Sequence, residues 1–210
     1  MSYDNFARTF SESRRDHPWP EIDSILADIK TRGYMSILDI GCGNGRFLEE
    51  VEKQWYIFSS YLGLDSSLGM IEEDKKLHPD FHFDVIDMTW LWISEIKNST
   101  FDAILFLASF HHLQTYEERI IVLHEVRRFL APGGRIYMTN WNLRDQERYK
   151  NSHQWGGDYS IKIGEYTRYY HGFTLIELEG LFSEAWYEIV ENQIFDGGRN
   201  ILSRVKVTEF

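Results

Sequence analysis

The sequence predicts an α/β fold: a mostly parallel sheet with helices on both faces and an antiparallel pair of strands late in the chain. Three observations predict it. Short apolar runs alternate with amphipathic stretches between residues 36 and 140, and such alternation builds a parallel sheet covered on both sides. The first run ends in a glycine-rich turn, Gly41-Cys42-Gly43-Asn44-Gly45, and open sheets of this kind bind ligands at the carboxyl ends of their strands. Two late apolar runs, Trp186–Glu191 and Ser203–Val207, lie close enough in sequence to pair antiparallel at an edge.

Each element follows from its pattern. Pro18 and Pro20 bracket Trp19 and break an N-terminal arm from the first helix. Glu21–Thr31 places Ile22, Ile25, Leu26 and Ile29 at helical spacing. Ser36–Ile40 reads as a strand, Gly45–Lys53 as a helix, Tyr61–Asp65 as a strand and Leu68–Lys76 as a helix. Phe81–Asp87 is a third strand ending at an acid, and Phe101–Leu107 is a strongly apolar fourth. Tyr116–Leu130 is a helix stopped by Pro132-Gly133-Gly134, and Arg135–Asn140 is a fifth strand. A polar stretch follows without assigned strands, then a helix over Leu175–Phe182 and the two closing strands.

Composition narrows the class. A chain of 210 residues with 43% apolar side chains suits one domain with a full core. No run approaches the roughly 18 apolar residues of a membrane span, and MSYDNFARTF has no basic segment followed by an apolar one. A cytoplasmic protein without a membrane partner is therefore expected. Cys42 stands alone, which excludes an intrachain disulfide and a cysteine-built zinc site. The net charge of −11 is uneven: residues 35–117 carry 5 basic and 14 acidic side chains, whereas residues 118–170 carry 9 basic and 6 acidic.

The glycine turn fits neither common phosphate motif. A dinucleotide fingerprint needs a glycine where Arg46 stands, and a P-loop needs Gly-Lys-Ser/Thr. The observed form is G-x-G-x-G, preceded by Asp39 on the strand and followed by acids at the next two strand ends, Asp65 and Asp87. A lone strand-end Asp is ordinarily a helix cap. Three of them at successive strand ends beside a glycine turn indicate a ligand with cationic and hydroxyl groups.

In this pattern the chain resembles the class I, Rossmann-like S-adenosylmethionine (SAM)-dependent methyltransferases. DIGCGNGRF, GLDSS, FDVIDM, FDAILFLASFHHL and RRFLAPGGRIYMTN match that family's motifs in order over residues 35–140. The resemblance implies a seven-stranded sheet with a reversed last strand and SAM across the strand ends. Asp39 is then placed for the SAM ammonium, Asp65 with Ser66 for the ribose, and Asp87 with Met88 for the adenine. Gly41, Gly43 and Gly45 shape the loop, and Leu107, Ala108 and His111 lie beside cofactor and substrate.

Two further segments bear on the acceptor. The arm Tyr3–Arg14 with Trp19-Pro20, and Arg168-Tyr169-Tyr170-His171-Gly172-Phe173 followed by Glu177-Leu178-Glu179, combine cations with aromatic faces, which hold carboxylates and bases. They are similar to segments of the tRNA methyltransferases that esterify carboxymethyluridine at the wobble position, including the methyltransferase domain attached to an AlkB-type oxygenase. That resemblance implies one domain over residues 1–210, with an arm at 1–20 and a substrate-side insertion at 141–173. It also implies the tRNA anticodon loop and a small activator subunit as partners. Arg14 or Arg168 is the expected carboxylate clamp, with Tyr169, Tyr170 and His171 shaping the pocket. Arg144, Arg148, Lys150, Lys162 and Arg168 offer the basic surface.

Alternatives remain open at this level. The same fold serves O- and N-methylation of small molecules, and a non-catalytic partner protein could retain it. A DNA base N-methyltransferase would carry Asn/Asp-Pro-Pro-Tyr/Phe where Ala108-Ser109-Phe110-His111 stands. Adjacent His111 and His112 point apart and have no third ligand in view, so no metal is expected. Cys42 has no partner base that would make it a nucleophile.

Overall fold

The computed structural model of the chain describes residues 19–89, 96, 100–164 and 166–208. Their elements are α1 (Pro20–Arg32), β1 (Ser36–Ile40), α2 (Arg46–Lys53), β2 (Ser60–Asp65), α3 (Leu68–Leu77), β3 (His82–Val85), β4 (Phe101–Leu107), α4 (Tyr116–Val126), β5 (Leu130–Trp141), β6 (Asp158–Ile163), β7 (Tyr166–His171), α5 (Leu175–Glu184), β8 (Tyr187–Phe195) and β9 (Asn200–Val207).

The main sheet has seven strands in the order β3-β2-β1-β4-β5-β9-β8. The first five are mutually parallel, and β9 runs antiparallel to both β5 and β8. This is the Rossmann-like sheet with a reversed last strand that the sequence predicts. The late pair does not close the edge in chain order, since β9 inserts between β5 and β8.

Burial on both faces explains the continuous apolar runs. Along β4, Ile104 and Phe106 join the core under α4 and α5, with Leu123, Leu178 and Phe182. Their neighbours Ala103 and Leu105 join the opposite core, with Ile25, Ile29 and Phe47 of α1 and α2. Helix starts are chemically marked. Thr115 and Glu118 form a reciprocal capping box at α4, and Ser67 and Thr174 cap α3 and α5. No helix among the described residues is long and apolar enough to cross a membrane.

The polar stretch between β5 and α5 carries a second, two-stranded sheet. Strands β6 and β7 pair as an antiparallel hairpin, with Ile161 opposite Arg168 and Tyr159 opposite Tyr170. Its alternate side chains Tyr159, Ile161 and Tyr170 pack with Leu143 into a small core of their own. Helix α4 is also shorter than expected: the chain tightens into a 3-10 turn at Arg127–Phe129 and joins β5 at Leu130.

Candidate active site

The sheet order makes β1 and β4 neighbours whose following segments depart to opposite faces, which opens a crevice at their carboxyl ends. A cavity of about 350 Å³ lies there, and the segment holding the hairpin forms one of its walls.

One wall is the glycine loop and the strand-end acids. Gly41, Gly43 and Gly45 all have positive φ, at 75°, 63° and 66°, which glycine alone adopts readily. They differ in what surrounds them. A Cβ on Gly41 would stand 2.3 Å from the Ser109 Cβ, and one on Gly45 would stand 2.8 Å from the His78 ring. Those two are glycine because the protein's own side chains occupy the space. A Cβ on Gly43 would meet only the Gly41 carbonyl, at 4.0 Å, so this glycine faces the cavity. Gly45 does not line the cavity, whereas Gly41 and Gly43 do.

Asp39 is 1% exposed. Its Oδ2 accepts the Tyr61 hydroxyl at 2.9 Å, and its Oδ1 has no hydrogen-bond partner among the described residues. Burial pushes its pKa up to about 7, with Asp65 adding to the rise and the Tyr61 hydrogen bond opposing it. Asp65 is raised too, chiefly by burial, although its carboxylate accepts the Gly43 and Ser67 amides at 3.0 and 2.9 Å. Below the loop, Asp74 is buried, accepts the Cys42 thiol at 3.6 Å and is pushed up to about 8, first by burial. Asp87 takes the Thr89 amide and hydroxyl at 2.9 and 2.8 Å. It lines the cavity together with Ser66 and Met88.

The other wall is aromatic and cationic. Ala108, just past β4, has φ of 55°, a strained value for a residue with a side chain. The Ala108 amide donates to the Thr139 carbonyl and hydroxyl, both at 3.0 Å. Ser109 ties the turn to β1 by donating to the Ile40 carbonyl at 2.5 Å. Leu107, His111, His112, Arg168 and Tyr170 face this side of the cavity. His111 is fully buried, with its Nδ1 3.3 Å from the Trp141 amide, which donates to it. Tyr170 stacks on Trp141 with centroids 4.9 Å apart and an interplanar angle of 13°. The Arg168 guanidinium sits 5.5 Å from the Tyr170 centroid and donates to His112 Nε2 at 3.0 Å. Burial draws the Arg168 pKa down from its usual value, with Tyr170 acting in the opposite direction.

The structure thus brings together Asp39, Gly41, Gly43, Asp65, Ser66, Asp87, Met88, Leu107, His111 and Arg168. Tyr169 and His171 do not reach the cavity. In a strand, successive side chains alternate sides, and these two point the other way. The Tyr169 hydroxyl donates to Asp158 at 2.7 Å, and His171 bridges Asp158 at 3.1 Å and Glu177 at 2.6 Å. Arg14 lies outside the described residues. Trp19, named with the arm, does line the cavity, and Thr139 and Trp141 line it without having been singled out from the sequence. Trp19 carries the Arg46 guanidinium 4.0 Å over its ring.

Known proteins share parts of this sequence and its fold. Residues 37–134 match the family model described as a methyltransferase domain. A tRNA (carboxymethyluridine(34)-5-O)-methyltransferase of Saccharomyces cerevisiae is 35% identical over 153 residues, which is 72% of this chain and 50% of that protein. The protein of the same name from Schizosaccharomyces pombe is 28% identical over 90% of this chain and 88% of its own length. The alkbh8 enzyme of Xenopus tropicalis, with that name again, is 33% identical over 71% of this chain and 22% of its own length. The chain therefore spans half of the budding-yeast relative and about a fifth of the frog one. Among solved structures, a SAM-dependent methyltransferase from Clostridium acetobutylicum superposes with a TM-score of 0.75 at 14% identity, covering 99% of both chains. SAM-bound CalS10, an amino pentose methyltransferase from Micromonospora echinaspora, gives 0.73 at 18%, covering 95% of this chain and 96% of that one.

Proposed function

We propose that this chain, whose residues 37–134 match a methyltransferase-domain model, is a SAM-dependent methyltransferase that methylates the carboxylate of carboxymethyluridine at the tRNA wobble position. The observation that carries the reading is Arg168, a cation in the cavity wall opposite the glycine loop. The names of the yeast and frog relatives point to the same acceptor.

The cavity fits SAM. The buried Asp39 Oδ1, without a partner among the described residues, suits an ammonium, and Gly43 leaves its side of the loop open for a close approach. In this reading Asp39 holds the ammonium, Asp65 and Ser66 the ribose, and Asp87 with Met88 the adenine. When bound, SAM supplies an electrophilic methyl on sulfonium.

The protein's own task is placement. An acceptor carboxylate is ionised near neutral pH, so no general base is needed. A guanidinium grips a carboxylate in two parallel hydrogen bonds, which lets Arg168 present one oxygen toward the glycine-loop side. Alignment of this kind supplies the rate. His111, Trp141 and Tyr170 give flat faces beside the acceptor, and aromatic faces stack on bases. Arg144, Arg148, Lys150 and Lys162, all exposed, form the surface for the anticodon loop. A cytoplasmic location goes with that substrate, and a small activator subunit belongs to the same reading.

The test is transfer of labelled methyl from SAM into tRNA drawn from cells able or unable to make carboxymethyluridine, with nucleoside mass spectrometry. The expected product is the methyl ester, formed only with the carboxymethylated tRNA. Label in neither tRNA, with an activator subunit supplied and S-adenosylhomocysteine binding demonstrated, would overturn the reading in favour of a small-molecule acceptor.

A further inference from the structure

We propose that His112 is a positioning residue that sets the Arg168 guanidinium for the acceptor, through one imidazole tautomer that its two partners dictate. His112 Nδ1 lies 3.1 Å from the Tyr169 carbonyl oxygen, and His112 Nε2 lies 3.0 Å from Arg168 Nη2. A carbonyl oxygen only accepts, so Nδ1 carries the proton. A guanidinium only donates, so Nε2 presents a lone pair. Both contacts hold together only for the neutral ring with its proton on Nδ1.

The geometry makes the ring a bracket. His112 sits in the short turn after β4, and both of its partners lie on β7. The ring therefore fixes the backbone of β7 at Tyr169 and the side chain of the preceding residue at once. Tyr170 closes the third side, its ring 4.6 Å from that of His112 and 5.5 Å from the Arg168 guanidinium carbon. A guanidinium has five N–H donors, so one given to His112 is compatible with a two-point grip on a carboxylate. Long Arg side chains lose considerable rotamer freedom when ordered, and His112 removes that freedom before the acceptor arrives.

This inference rests on the carboxylate reading of the acceptor, and the test separates the two. His112→Ala, His112→Gln, Arg168→Ala and the Ala–Ala double variant are assayed for kcat and KM on carboxymethylated tRNA and for S-adenosylhomocysteine affinity. His112→Ala is expected to lower kcat/KM about 10- to 100-fold, the scale of a hydrogen bond to a charged group. His112→Gln restores much of it, because its amide offers one acceptor and one donor. In the Arg168→Ala background His112→Ala costs nothing further. Additive losses, or a Gln variant as impaired as Ala while cofactor affinity is intact, would overturn the proposal.

A readout without turnover uses the 15N shifts of the His112 ring. The expected pattern is a protonated Nδ1 and an unprotonated Nε2, with Nε2 moving in Arg168→Ala. That pattern in a protein that esterifies no tRNA would sink the substrate reading and leave the His112–Arg168 couple standing. A protonated Nε2 in an active enzyme would sink the couple alone.

Discussion

Asp39 shows how burial sets the chemistry of one residue. Its carboxyl is pushed up to about 7 by loss of water, while Tyr61 alone among the described residues hydrogen-bonds to it. The sign follows directly. A carboxyl raised in the folded state favours the fold at low pH, and that contribution is lost as pH rises through about 7. Pairing with an ammonium reverses the preference, because only the carboxylate attracts a cation. Cofactor binding should therefore release protons near neutral pH. Calorimetry of S-adenosylhomocysteine in buffers of different ionisation enthalpy should show tighter binding at pH 8 than at pH 6, by several-fold. Asp39→Asn should weaken binding and flatten the profile, and a wild-type profile that is already flat would remove Asp39 from this role. Position and role were separately legible at this scale. The acids at the strand ends announced themselves beside a glycine turn. The reasons for Gly41 and Gly45 did not, because Ser109 and His78 meet them only in the folded chain.

Among the elements, the β6–β7 hairpin decides where Arg168 stands, and Arg119 holds the hairpin. Arg119 is 4% exposed. It donates to the carbonyls of Leu113 and Gln114 and to the Tyr169 hydroxyl at 3.0–3.2 Å, and lies 3.7 Å from Glu177. Asp158, Tyr169, His171 and Glu177 complete the link between hairpin, α4 and α5. Of the β7 residues expected at the pocket, Arg168 and Tyr170 line the cavity, whereas Tyr169 and His171 anchor the strand. Arg119→Met keeps volume but leaves the buried Leu113 carbonyl without its donor and removes the contacts to Gln114, Tyr169 and Glu177, and should cost about 3 kcal/mol, measured by urea denaturation. Its kcat/KM should fall more than its cofactor affinity, because the strain reaches Arg168 and not the glycine loop. Equal losses in both would argue against this division. The hairpin itself was readable in principle: Tyr159, Ile161 and Ile163 alternate with polar residues, and Gly164 marks the turn at φ of 61°. Its polar average hid the period. By contrast β4 was read to its ends, since a strand buried on both faces is one apolar run.

For the whole molecule the net charge of −11 opposes RNA, and the fold resolves how much of that opposition matters. Several of the basic residues in the 118–170 segment serve the interior or other charges. Arg119 is a buried anchor, Arg135 pairs with Asp28 at 2.9 Å, and Arg128 pairs with Glu125 at 3.5 Å. Arg144, Arg148, Lys150 and Lys162 remain exposed on the segment that builds the cavity's aromatic wall, with Lys150 shared with Glu147. Each phosphate neutralised on a single strand contributes about 0.7 to the slope of log affinity against log salt. Four contacts give a slope near −3, so raising salt from about 50 to 200 mM should weaken tRNA binding roughly 50-fold. The double variant Arg148→Glu, Lys162→Glu should reduce that slope by more than one and leave S-adenosylhomocysteine affinity unchanged, since neither residue lines the cavity. A slope that stays the same in the variant would move the RNA to another face of the protein. A wild-type slope near zero would mean that this acidic chain does not bind RNA through its phosphates, and the acceptor would then be sought among free carboxylates small enough for the cavity of about 350 Å³.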